Sequence, residues 1–185
     1  MVDAADSKSV VLWAWGFKSL QGHQIIIVYM LKKVNFYHVV TGDLVSSSAP
    51  ILNAFFTAKF KILSICDDEE LAIKCDAKLW TFASNLFIPH GLLTDLQPEI
   101  QPILFCTTDK IQNLNNANCV VLITNNLLQN IDSIKNLPNI EALVCIFVAH
   151  ETETQNCMKK LSEFDAETKY FTDLSGKWQE YNLLV

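Results

Sequence analysis

Several residue groups in this chain have the types and spacing to do chemistry. Asp67, Asp68, Glu69 and Glu70 line up between an apolar run and a helical one, where carboxylates could hold Mg²⁺. A charged helix start that complements the backbone dipole accounts for the same four residues without a metal. His38 and His90 are candidates for acid–base work, and Cys66, beside a helix start, is a candidate for an activated thiol. From sequence no complementary group can be placed beside any of these three, so a satisfied structural role is the expectation for each. His150-Glu151 opens like a zinc helix but lacks the second His of H-E-x-x-H.

The phosphate-binding chemistries are missing. There is no G-x-G-x-x-G, no G-x-x-x-x-G-K-[ST] and no G-x-S-x-G elbow, and the chain has 5 glycines in all. All 14 cationic residues are Lys, against 20 acidic ones, for a net charge of -6. That balance argues against general capture of a nucleic-acid backbone, and the bidentate guanidinium fork is absent. The 6 cysteines, Cys66, Cys75, Cys106, Cys119, Cys145 and Cys157, form no C-x-x-C pair, and most lie in apolar runs. Buried thiols in a reducing, cytoplasmic setting are expected, with neither disulfides nor zinc.

These residues must be positioned by a compact domain, and a chain of 185 residues that is 50% hydrophobic can bury a core for one. The alternating VNFYHVV predicts a first strand, ended by the turn signal TGD. SSSAPILNAFFTAKF predicts a helix with serine caps and Pro50 in its first turn, followed by a strand, KILSIC. DDEELAIKCDAKLW predicts a second helix, with Asp67 and Glu70 at capping-box spacing. FIPHGLLTDLQPEIQP, with its three prolines, reads as a loop. PILFC, CVVLIT and ALVCIFV read as buried strands, the last two separated by a weak helix around NNLLQNIDSIKNL that Pro138 ends. A helix, ETETQNCMKKLSEF, and a polar aromatic tail, KYFTDLSGKWQEYN, close the chain. Strands alternating with helices imply one three-layer α/β domain, with about five mostly parallel strands and helices on both faces. The segment from Val10 to Met30 is apolar, but Lys18, Gln21, His23 and Gln24 interrupt it and Asp3 and Asp6 occupy the place of a basic leader. Residues 1–29 are expected to lie outside the fold as an extension, with an amphipathic accessory helix as the rival, and residues 30–185 to form the domain.

The stretch from Ile65 to Leu92 resembles the chi subunit of bacterial DNA polymerase III. The resemblance is carried by Asp67 to Glu70, Leu79-Trp80 at the helix end, then Phe87, Pro89, His90 and Gly91. Asn35, Phe36, Tyr37 and His38 resemble that family's first strand, and the likeness extends over about residues 30 to 180. It implies a non-catalytic, Rossmann-like accessory of the clamp loader, without cofactor or metal, that meets DNA only indirectly and no membrane. It also implies two partners: the psi subunit, facing Trp80 and Phe87, and the acidic, Phe-terminated tail of single-stranded DNA-binding protein.

An aromatic pair suits a hot spot if it is exposed; the competing reading places both rings in the core. For the tail site the resemblance implies Val148 in an apolar pocket at the end of the last strand, with Lys159 and the adjacent Lys160 supplying cations. This chain departs from the family pattern there, with Ser162 and Glu163 on that helix and no Arg. Lys169 and Lys177 are expected to supplement the charge, and Tyr170 or Trp178 the pocket. Other readings of the same layout are a small nucleotide- or thiol-dependent enzyme, and a chi-like adaptor for a repair helicase.

Overall fold

The computed structural model describes residues 31–40, 42–83, 87–134, 137–148, 156, 166–174 and 177–181. Its core is one eight-stranded sheet. In chain order the elements are β1 (Lys33–His38), α1 (Leu44–Thr57), β2 (Ile62–Cys66), α2 (Glu69–Thr81), β3 (His90–Leu92), a 3₁₀ turn (Pro98–Ile100), β4 (Ile103–Thr107), β5 (Cys119–Thr124), α3 (Leu127–Ile134), β6 (Ala142–Phe147), β7 (Glu167–Leu174) and β8 (Lys177–Tyr181).

The strand order is β3-β4-β2-β5-β6-β1-β7-β8. Every neighbouring pair is parallel except the β7–β8 hairpin at one edge. The adjacent strands β4, β2, β5 and β6 read as unbroken apolar runs because helices cover both faces. On one face Leu52 of α1 and Cys75 and Leu79 of α2 pack against Ile62, Val121 and Ile146. On the other, Leu127 and Ile131 of α3 pack against Leu63, Leu122 and Phe147.

The α/β class and the parallel sheet agree with the sequence reading, but the sheet has eight strands rather than about five. The added ones are β3, inside the stretch read as a proline-marked loop, and the β7–β8 hairpin, inside the stretch read as a tail. The helix starts also shift. Asp43, not a serine, caps α1, accepting a hydrogen bond from Ser46 N at 2.8 Å. Pro50 therefore lies inside α1 rather than in its first turn. At α2 the cap is Asp68, which accepts from Leu71 N at 2.8 Å, and Asp67 is left for another task. Residues 1–30 and most of the segment from 149 to 165 lie outside the described residues, so the expected extension and final helix do too.

Candidate functional site

Asp67 sits where an open α/β sheet usually takes a ligand. β2 leads into α2 on one face, while its neighbour β5 leads into α3 on the other, so their carboxyl ends form a switch point of the sheet. Asp67 bridges the two ends there. Its carboxylate accepts from Asn125 N at 2.7 Å and from Asn130 Nδ2 at 2.8 Å, and Asn130 Nδ2 also reaches Thr124 Oγ1 at 2.9 Å. Amide donors that greet a phosphate in nucleotide-binding sheets here meet the chain's own carboxylate.

Three of the buried thiols are held protonated, whereas a hydrogen bond from Cys66 lowers the pKa of Cys75. Cys66, Cys75, Cys106, Cys119 and Cys145 are buried. A hydrogen bond with Cys75, together with burial, pushes the Cys66 thiol well up. Burial pushes Cys106 up to about 12 and Cys119 up as well. A raised thiol pKa is the reverse of what a nucleophile needs. Cys157 lies outside the described residues.

The opposite end of α2 carries an aromatic shelf. Trp80, in the last turn, is 58% exposed, and Phe87, just before β3, is 71% exposed. Their rings lie 6.0 Å apart, tilted by 49°. Both rings sit on the surface rather than in the core. Ile73, 48% exposed and two turns before Trp80, extends the apolar stripe along the same side of α2. The sequence reading overlooked it, although its spacing from Trp80 was visible.

His90 holds this shelf from below. Its side chain is 1% exposed, and its ring lies 4.8 Å from that of Trp80. Nδ1 is 2.6 Å from the Ile88 carbonyl oxygen and Nε2 is 3.1 Å from that of Asp76, so the imidazole ties the strand after Phe87 back onto α2. The Asp76 carboxylate lies 3.4 Å from Nε2. Burial raises the Asp76 pKa, while His90 and a hydrogen bond from Trp80 pull it back down. Gly91 follows because space closes there: a Cβ would stand 3.1 Å from Asp95 Oδ2 and 3.3 Å from Gln101 Cγ. Thus His90 is the positioning residue beneath the rings, and Gly91 makes room for Asp95 and Gln101.

His38 serves packing as well. It stacks on Phe147 at 5.3 Å, and its Nδ1 lies 2.8 Å from Tyr170 Oη.

Val148 follows β6 directly and is 41% exposed. Val40, beyond the end of neighbouring β1, is 53% exposed. Lys159 and Lys160 lie outside the described residues.

Three of the four expected supplements are already engaged within the fold, while Lys177 is exposed. Tyr170 is buried at 7% exposure, Trp178 packs edge-on against Tyr37 at 5.1 Å, and Lys169 lies 3.8 Å from carboxylate oxygens of both Glu167 and Glu180. The reason is the missed hairpin: as β7 and β8 these residues complete the sheet and its edge. Among the described residues, no helix is long and apolar enough to cross a membrane.

Comparison with known proteins gives two findings. Residues 31–167 match the family model described as DNA polymerase III chi subunit, HolC. A curated protein of Rickettsia prowazekii (strain Madrid E), named probable DNA polymerase III subunit chi, is 29% identical over 97 residues. That alignment covers 52% of this chain and 58% of the relative, so the match spans somewhat over half the relative's length.

Proposed function

Since this chain belongs to the DNA polymerase III chi subunit family, a family of replication accessory subunits, we propose that it acts as a non-catalytic adaptor. In this reading it holds the psi subunit of the clamp loader on the shelf of Trp80 and Phe87. It receives the acidic tail of single-stranded DNA-binding protein at Val148, with Lys159 and Lys160 supplying charge, and so couples the polymerase machinery to coated single strands.

One observation carries the reading: two large aromatic rings, 58% and 71% exposed, held side by side by the buried His90. Exposed rings in a fixed pose offer large contact area with little rotamer entropy to lose, which is how interface hot spots are built. The catalytic alternatives lack a comparable feature, since Asp67 bridges the sheet's switch point and the described thiols are buried.

The test is co-purification of the full chain with the psi protein of the same genome, paired with titration of a fluorescent Phe-terminated acidic peptide at low and high salt. Stable co-elution lost in Trp80→Ala, and salt-sensitive peptide binding lost in Lys159→Glu, are the expected results. Co-elution unaffected by Trp80→Ala would remove the shelf from the reading. Peptide binding unaffected by Lys159→Glu would remove the tail site.

A further inference from the structure

A cavity of about 260 Å³ opens at the carboxyl ends of β2, β3 and β4, at the other end of α2 from the aromatic shelf. Its floor is apolar: Ala72 of α2, Leu92 and Leu93 at the end of β3, and Phe105 of β4. Its rim is acidic, with Asp67, Asp68, Glu69 and Asp109 set against the single cation Lys110. Three of these carboxylates are fixed in place. Asp67 is bonded to Asn125 N and Asn130, Asp68 caps α2, and Asp109 accepts from the Thr107 hydroxyl, which lowers its pKa and keeps it ionised. A pre-formed apolar cavity ringed by positioned charges of one sign has the character of a binding site.

We propose that this cavity is a docking site for a basic peptide segment of a partner protein, taking one Lys or Arg side chain. The long aliphatic stem of such a residue lies along Leu92, Leu93 and Phe105, while its cationic head meets Asp68, Glu69 and Asp109 at the rim. The volume suits one such side chain, and the carboxylates select against the acidic segments that the Val148 region is proposed to receive. A phosphate is excluded by the same charges. The two sites therefore sort partners by opposite sign.

The test uses the full chain and a fluorescein-labelled peptide, Gly-Ser-Gly-Arg-Leu-Arg-Gly-Ser-Gly, followed by anisotropy at low and high salt. Glu69→Lys with Asp109→Lys should weaken binding about tenfold or more. Glu141→Lys with Glu180→Lys, which changes the net charge equally but lies at other parts of the sheet, should change it less than about twofold. Leu93→Ala, checked for folding by circular dichroism, should weaken binding by a few-fold without changing its salt dependence. Equal losses in the two double variants would overturn the site, leaving only the field of an acidic protein. Absence of binding to the unmodified chain would overturn it too. Displacement of the peptide by spermine at concentrations far below the unlabelled peptide's would assign the cavity to a small polyamine and overturn the peptide reading.

Discussion

The two ends of α2 treat their functional groups in opposite ways. At the amino end two carboxylates make hydrogen bonds within the fold: Asp68 caps the helix, and Asp67 ties the end of β2 to the start of α3. At the carboxyl end the polar groups of His90 and Asp76 are used beneath the surface, and what faces outward is apolar: Trp80 and Phe87, with Ile73 behind them. The amino end contributes to stability through hydrogen bonds within the fold. The carboxyl end leaves its aromatic area exposed. Substitutions at the two ends should accordingly separate stability from binding.

The largest expected effect is at the aromatic end. Trp80→Ala with Phe87→Ala should weaken the psi-type partner by roughly 4 kcal/mol, taking about 2 kcal/mol for each hot-spot ring. The same double variant should lose about 1 kcal/mol of folding stability, because Trp80 also packs on His90 and bonds Asp76. Calorimetric titration and chemical denaturation of one preparation check both halves. A stability loss as large as the binding loss would erase the contrast. Asp67→Ala reverses the pattern. Losing two charge-assisted hydrogen bonds at a partly buried site should cost about 2 kcal/mol of stability, with binding at Trp80 unchanged once the variant is folded. Denaturant midpoints read it.

Alkaline pH tests a buried thiol of β4. The Cys106 thiol is pushed up to about 12 in the folded chain, from an ordinary value of 9.0. Below pH 9 both states hold the proton and its contribution is intact. Above that the unfolded chain releases the proton first, so stability falls by about 1.4 kcal/mol per pH unit from this thiol until pH passes 12. Cys106→Ala removes that slope contribution while adding a small cavity penalty at neutral pH, and denaturation curves between pH 8 and pH 10 in steps of about one unit show it.

The same contrast explains which parts were legible in the sequence. Central strands announce themselves because both faces are buried: CVVLIT is β5 residue for residue, and β2, β4 and β6 fall within a residue or two of their apolar runs. Edge strands do not. β8 has one face and one edge in solvent, so Lys177, Gln179 and Glu180 read as a polar tail, and β3 is only three residues long in a proline-marked segment. Caps are legible only to within a residue: Asp67 and Asp68 both stand at cap spacing from the apolar positions that follow, and contacts with α3, distant in sequence, decide between them. For the shelf, spacing placed Trp80 on α2 but could not tell outside from inside. The structure puts Trp80 at the surface because Ala72, Cys75 and Leu79 take the inward face of α2, and Phe87 lies beside it from the segment before β3. His90 was legible as part of the resemblance, but its role as a prop needed the carbonyl oxygens of Ile88 and Asp76 around it.

The smallest expected effect is the most discriminating. Asp68→Ala removes the α2 cap and should cost about 1 kcal/mol, whereas Asp68→Asn, which keeps an acceptor for Leu71 N, should cost a few tenths. A cap acts on the first turn, and α2 is held along its length by Ala72, Cys75 and Leu79 in the core. The loss at Asp68 therefore stays local, and affinity at Trp80 should not change for either variant. If Asp68→Ala did weaken binding at the aromatic shelf while Asp68→Asn did not, α2 would be acting as a single lever between its two ends, and the separation of the cap's stability from binding at the shelf would have to be given up. Hydrogen exchange along α2 separates the cases: protection lost only around Leu71 keeps the division, and protection lost through to Trp80 ends it.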